Sequence, residues 1–227
     1  MTALHDDPRV RRGMERQLDL RRRLLDDGAR PIGWKLGLGT PPAMEKHGTT
    51  TPLVGFLTDR GLREGGSEIA VGDWGQATAE PEVAVHISAG VPAGAGRDAV
   101  AAAIGGLGVA VELVDIADLE LEEILAGNIF HRHVLLGAAG ALDGGELRAE
   151  IRHGEEVVGA DDPWALVGDP VTAVSHLADH LAAFGEPVRA GDVLITGSIV
   201  PALAVAPGDR LEYRLEPLGE LVVRFVE

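Results

Sequence analysis

Two apolar stretches of this chain carry glutamates where a core strand would ordinarily carry none. Residues 78–87 read TAEPEVAVHI and residues 108–116 read GVAVELVDI. A strand alternates its side chains between two faces, so Glu80, Glu82, Ala84 and His86 share one face and Pro81, Val83, Val85 and Ile87 the other. Carboxylates two residues apart stand roughly 6–7 Å from each other along a strand, and they repel unless water or a cation lies between them. Glu112 falls among valines and a leucine. An unpaired ionised carboxylate in such surroundings costs more than a domain can spare. The chain must therefore fold so that these groups meet water, pair with an arginine, stay protonated or bind a cation, and the spacing is compatible with each. Were it a cation, Glu80, Glu82 and Glu112 would form a hard, all-oxygen set suited to Mg2+ or Mn2+, leaving about three of six octahedral positions open.

The composition narrows the classes of function. The chain has 227 residues, enough for one large domain or two small ones, and 45% of them are hydrophobic. Its formal charge is −16, which argues against a nucleic-acid partner, since those proteins present a basic face. An anionic membrane surface would repel it as well. There is no cysteine, so thiolate ligands, disulfides and cysteine nucleophiles are excluded. The first 20 residues lack an apolar signal core, and no apolar run is long enough to span a bilayer. The expectation is a cytoplasmic protein.

Along the chain, Asp7 and Pro8 predict a helix start, Val10, Met14, Leu18 and Leu25 recur at helical spacing, and Gly28 marks the stop. The arginines of this helix read as a solvated face. PIGWKLGL (31–38) and LVGFLT (53–58) predict strands, with PPAMEKHG a short helix or loop between them. RDAVAAA predicts a small helix, LEEILA a second, and HVLLG a strand. ELRAEIRHGEEVVGA reads as a hairpin turning at His153-Gly154. Asp169 and Pro170 open the clearest helix, lined by Val174, Leu177 and Leu181 and ended by Gly185. The tail from Val193 is strand after strand. Many short strands, few helices and no regular βαβ alternation predict a β-rich α+β fold rather than a Rossmann fold or a barrel of parallel strands.

Three further features carry possible chemistry. Lys35 lies in an apolar strand beside Trp34, where it either snorkels to the surface or faces an anionic substrate and polarises a carbonyl. Thr196, Gly197 and Ser198 follow a buried strand and are either an ordinary strand end or a carboxylate site built from N–H groups and hydroxyls. His131 and His133 form an H-x-H pair close to Asn128; without further matching ligands the pair is not read as a metal site.

In order, GWKLGL, EPEVAV, VAVELVD, GNIFHRHVLLG, LITGS and VAPGDRLEYRLEPLG resemble the 2-oxopent-4-enoate hydratase and 4-oxalocrotonate decarboxylase group of the fumarylacetoacetase-like superfamily. No single motif is strong, but six in this order are specific, and they run from about Gly28 to the C-terminus. The resemblance implies a β-rich mixed roll with a few flanking helices, like a fumarylacetoacetase C-terminal domain. It implies a single catalytic domain over 1–227, with a helical segment at 1–28, that assembles as a homo-oligomer. It also implies a divalent metal, Mg2+ or Mn2+, on Glu80, Glu82 and Glu112, with Lys35 near the 2-oxo group of a small acid. Thr196, Gly197 and Ser198 would meet the substrate carboxylate, with Asn128 also at the substrate. The implied activity is that of a lyase on a short 2-oxo acid or its enol, hydratase-like, with decarboxylation or acylpyruvate C–C hydrolysis as the alternative. In the alternative, His131, or Glu45 with His47, would move protons.

The chain departs from the hydratases at two places. They carry Asn-Ala-Ser-Ser-Gly where this chain has Asn128 followed by Ile129, Phe130 and His131, and often Pro-Asp where it has Pro52-Leu53. His131 would thus stand where a serine positions water, either turned into the site or pointing outward. A non-catalytic binder of small acids is a third reading, and the complete set of three carboxylates argues against it, since an unused buried cluster is destabilising.

Overall fold

The structure, a computed structural model, describes residues 4–140, 146–160 and 162–227. A 3-10 turn (Leu4–Asp6) leads into α1 (Pro8–Asp26), β1 (Pro31–Gly37), α2 (Pro41–His47), β2 (Leu53–Thr58), β3 (Leu62–Arg63), β4 (Glu68–Ala70) and β5 (Ala77–Ile87). α3 (Arg97–Ala103), β6 (Ile104–Asp115), α4 (Leu121–Ala126), β7 (His131–Leu136) and the hairpin β8 (Arg148–His153) and β9 (Glu156–Ala160) follow. The chain closes with α5 (Trp164–Val167), α6 (Pro170–Ala182), β10 (Val193–Ser198), β11 (Leu203–Ala204), β12 (Arg210–Glu216) and β13 (Gly219–Val226). No helix among the described residues is long and apolar enough to cross a membrane.

The expected helices start where their caps predict. The Asp7 carboxylate accepts the Arg9 N–H at 2.8 Å, and Asp169 accepts those of Val171 and Thr172 at 3.1 Å each. One expectation for α1 fails. Arg21 is buried rather than solvated, its guanidinium 4.7 Å from the centre of the Trp34 ring and paired with Glu186. A planar, weakly hydrated cation stacked on indole is tolerated there where a lysine would not be.

Among the described residues the strands form two sheets. The larger runs β2-β1-β10-β5-β6-β7-β3, with β11 added beside β5, and the smaller runs β4-β13-β12-β8-β9. The alternation expected for the glutamate strands is observed. Val83, Val85 and Ile87 of β5 and Val109, Val111 and Leu113 of β6 enter the main core, against Leu211, Tyr213, Leu215, Val223 and Phe225 of the smaller sheet. The opposite face holds a separate small cluster, including Ala84, Ala110, Val134, Ile195 and Leu57. The glutamates stand on that second face. The architecture is therefore the mixed α+β roll expected, with a curled large sheet whose inner face is given to the site.

Gly33 sets where β1 lies. A Cβ on Gly33 would fall 2.0 Å from the Val193 carbonyl oxygen, so only glycine lets β1 and β10 approach this closely. Gly33→Ala should lower stability by about 2–4 kcal/mol, read as a lower urea midpoint with the slope unchanged. A midpoint equal to that of the wild type would show that the backbone relaxes around the new methyl group.

Candidate functional site

Four strands of the large sheet converge on one cluster. Glu80 on β5 and Glu112 on β6 are direct cross-strand partners, and Glu82 follows two residues along the same face. Each offers a carboxylate oxygen, and these oxygens all lie within 4.8 Å of one another. Lys35 reaches in from β1. Its ammonium donates to Glu112 Oε1 at 2.5 Å and to the Ile129 carbonyl at 3.0 Å, and both Lys35 and Glu112 are fully buried. His131 at the start of β7 is bonded through Nδ1 to the same Glu112 oxygen at 2.6 Å.

Local irregularities make this convergence possible. In register, Glu112 faces Val134 and Leu113 faces His133, but Val114 then faces His131, skipping Arg132. This β-bulge turns His131 onto the Glu112 face. It also separates the H-x-H pair: His133 lies on the other face, with its ring 5.9 Å from Trp74. A second irregularity falls in β10 between Ile195 and Ser198. There the Gly197 N–H turns from the ladder and donates to Glu82 Oε2 at 2.7 Å.

The electrostatics follow from three carboxyl groups sharing one ammonium. Burial opposes ionisation of Glu112, yet the Lys35 charge and the His131 bond outweigh it and hold its pKa below the ordinary carboxylate value. Glu80 and Glu82 lack such partners. Burial pushes Glu80 up to about 7, with repulsion from Glu112 adding to it. Burial raises Glu82 well above its usual value, helped by Glu112 and Glu80 and opposed by the Gly197 N–H. Glu82 Oε1 and Glu112 Oε2 are buried without a hydrogen-bond partner. Two orphaned oxygens, and two carboxyl groups that lack a charge partner for their ionised form, make an all-oxygen set that suits a hard divalent cation.

Not every expected residue reaches this cluster with a free polar group. The Asn128 amide is committed to the backbone of Phe56: Oδ1 accepts its N–H at 2.8 Å and Nδ2 donates to its carbonyl at 3.0 Å. The amide expected at the substrate thus makes two bonds to the protein's own backbone. The Thr196 hydroxyl accepts the Val83 N–H at 3.3 Å and the Ser198 hydroxyl donates to the Val200 carbonyl at 2.7 Å, so both are turned to backbone here. Phe130 packs with Leu38 and Phe184 onto an apolar cluster of α1, α4 and β2. Glu45 is exposed on α2, and among the described residues neither it nor His47 bonds to the glutamates.

The sequence reading passed over two contributors. The Tyr213 hydroxyl, on the smaller sheet, donates to the Glu82 backbone carbonyl at 3.1 Å, and Ile129 supplies the carbonyl that meets Lys35. Neither has a local signal. The glycine in LVGFL did carry one. A Cβ on Gly55 would lie 2.8 Å from both Asn128 Oδ1 and Lys35 Cγ, and glycine inside a strand marks such close approach.

Residues 33–226 match the family described as fumarylacetoacetate (FAA) hydrolase C-terminal. The chain belongs to the fumarylacetoacetate hydrolase family. It is 32% identical to a 4-oxalocrotonate decarboxylase of Pseudomonas putida over 219 residues, covering 92% of this chain and 83% of the relative. It is 29% identical to a 2-hydroxyhexa-2,4-dienoate hydratase of Comamonas testosteroni, covering all of this chain and 90% of that one. Among solved structures it resembles 4-oxalocrotonate decarboxylase from Pseudomonas putida G7 complexed with magnesium and adipate, with a TM-score of 0.86 and 29% identity over 94% of this chain and 85% of that one. These relatives are lyases.

The raised carboxyl groups make stability depend on pH in a defined direction. Below the unfolded value of 4.5, Glu80 is protonated in both states. Above it, the unfolded chain ionises while the folded protein keeps the proton up to about 7. Stability from this group is therefore present at low pH and lost as pH rises through about 7. With chelator present, the thermal midpoint of the wild type relative to Glu80→Gln should fall between pH 5 and pH 7, roughly the interval between unfolded and folded values. Excess Mg2+ should remove that fall. A pH-independent difference between the two proteins would mean that Glu80 ionises normally.

Proposed function

We propose that this protein is a lyase dependent on Mg2+ or Mn2+ that acts on a short 2-oxo acid or its enol tautomer, hydratase-like in its reaction. The observation that carries the proposal is the enclosed cluster itself: three carboxyl groups, two of them with an orphaned oxygen, one ammonium and one imidazole, on the inner face of a fold shared with hydratases and decarboxylases. Glu80, Glu82 and Glu112 are the residues that would hold the cation. Bound there, it would supply a Lewis acid that draws electron density from the 2-oxo group and stabilises charge developing on its oxygen.

The chain's own groups account for the rest. The ammonium of Lys35 has three donors, and Glu112 and the Ile129 carbonyl use two of them. The third is free for a substrate oxygen. This donor is preorganised in a water-poor site, where such groups lower barriers most. His131 Nδ1 and Glu112 Oε1, 2.6 Å apart, hold a proton between them. An imidazole can pass a proton to or from a reacting group, a role a serine hydroxyl in its place fills poorly. His131 turns inward, as the proton-transfer reading needs. That feature supports decarboxylation of a 2-oxo acid as the second reading, in line with the magnesium-bound decarboxylase of similar fold. We also propose that the chain works as one catalytic domain over residues 1–227, assembled as a homo-oligomer.

Glu112→Gln should abolish Mn2+ binding, measured by the electron paramagnetic resonance of free Mn2+, while circular dichroism shows the fold retained. Unchanged Mn2+ affinity would remove Glu112 from the site. Lys35→Ala should lower turnover by about 100-fold or more and lower metal affinity little; full activity in that variant would make Lys35 a structural residue. His131→Ser should flatten the pH–rate profile and move preference toward hydration of a 2-hydroxy-2,4-dienoate over decarboxylation of a 2-oxo diacid. If rate, profile and preference all stay as they were, His131 does not move the proton.

A further inference from the structure

At one end of the large sheet, β2 has an edge with no neighbouring strand among the described residues. Unpaired N–H and C=O groups on such an edge need other partners. At Phe56 the partner is the side chain of Asn128, which takes the backbone N–H and returns a bond to the carbonyl, at 2.8 and 3.0 Å. That is the two-bond exchange by which a residue of an antiparallel ladder pairs with its neighbour. One side-chain amide thus stands in for a strand.

Asn128 also opens an unusual turn. Asn128, Ile129 and Phe130 have φ of 61°, 53° and 61°, three successive left-handed residues after the end of α4. Asparagine is tolerated there, but a β-branched isoleucine is a true outlier. Residues held in this region cost on the order of 1–3 kcal/mol each and persist only where their surroundings over-determine them. The turn delivers the Ile129 carbonyl, 3.0 Å from the Lys35 ammonium that also meets Glu112. Gly55 leaves the room in which Asn128 and Lys35 come together. Gln17 of α1 holds the near end of the turn, donating to the Val54 carbonyl on the same strand edge at 3.2 Å and to the Leu125 carbonyl of α4 at 2.9 Å.

We propose that Asn128 is a positioning residue: its amide, clamped on the Phe56 backbone, holds the left-handed turn so that the Ile129 carbonyl fixes Lys35 against Glu112. The role rests on the reading of Lys35 as the group that meets the substrate's oxo oxygen. Asn128 itself touches no substrate. It sets the direction in which the third N–H of Lys35 points.

The test uses Asn128→Gly, which leaves the left-handed backbone unstrained and removes only the amide. Exchange of the methyl protons of pyruvate with D2O, followed by proton NMR on the Mg2+-loaded full chain, reads the enolisation step. The rate at saturating pyruvate should fall about 10- to 100-fold, while KM and Mn2+ affinity change by less than about threefold. In a Lys35→Ala background the same substitution should change the rate by less than about twofold, because its effect runs through Lys35. A crystal structure of the variant should show the Ile129 carbonyl out of hydrogen-bond reach of Lys35. The proposal is overturned by an unchanged rate, by equal losses in both backgrounds, or by an intact Lys35–Ile129 contact in the variant. If the wild type exchanges no pyruvate protons, the functional reading fails, and the variant's crystal structure alone decides the clamp. Should Asn128→Gly not fold, Asn128→Asp keeps the acceptor for the Phe56 N–H and loses the donated bond, and the same readouts apply.

Discussion

The contact between Lys35 and Glu112 is the constraint around which the rest of the site is arranged. Both groups are taken out of water, and a buried ion pair gains little net stability over apolar residues of the same size. Removing either partner is another matter, since it strands an uncompensated charge. The pair therefore acts more on its neighbours than on the overall stability. By keeping Glu112 ionised, it makes Glu112 a fixed negative charge beside Glu80 and Glu82, and their raised pKa values follow from burial and that charge together. The site is thus poised between two compensations, protons on two carboxyl groups or one divalent cation. A cation bound there would have to displace those protons, which would link metal affinity to pH through the same two residues.

The fold satisfies this constraint by dividing the two central strands between two tasks. One face of β5 and β6 builds the main core and the other carries the carboxylates. A slip of one residue would send the valines into the site and the glutamates into the core. Eleven register pairs hold β5 to β6 against such a slip. Where the regular ladder would aim a group wrongly, a bulge corrects it. The bulge opposite Arg132 brings His131 to Glu112, and the irregularity before Ser198 frees the Gly197 N–H for Glu82. Regular pairing holds the strands, and its local failures place the chemistry.

What could be read from the sequence follows from the same division. The glutamate strands were legible because period-two alternation is a local rule, and the caps at Asp7 and Asp169 because helix starts have local chemistry. Lys35 was legible only as an anomaly, with its partner undetermined. That His131 and His133 part to opposite faces is not legible, because a bulge at Arg132 leaves no composition signal. Arg21 looked like one more surface arginine because its stacking partner, Trp34, belongs to another element. Asn128 is legible as part of a motif, but its bond to a strand 72 residues earlier in the chain is not. In each failure the deciding partner is distant in sequence, and spacing carries no information about it.

The edge of β2 shows how stability and site geometry come to depend on the same groups. An open edge invites pairing with another chain, and proteins commonly blunt it with charge, proline or a covering element. Here two amides do so, from Gln17 on α1 and Asn128 beside α4. α1 precedes residue 33, where the match to the family begins, yet it is joined to α4 through Arg12 with Glu122 and Arg16 with Glu123. Exposed pairs of that kind add little on their own. The buried contacts are worth more: Val10 and Met14 of α1 pack on Leu121, Ile124 and Leu125 of α4 with Leu53 of β2. The helix that covers the edge therefore also seats the helix from which the left-handed turn departs. Loosening α1 would expose the β2 edge and release the turn together, so the same buried contacts protect the sheet from association and hold the Ile129 carbonyl on Lys35.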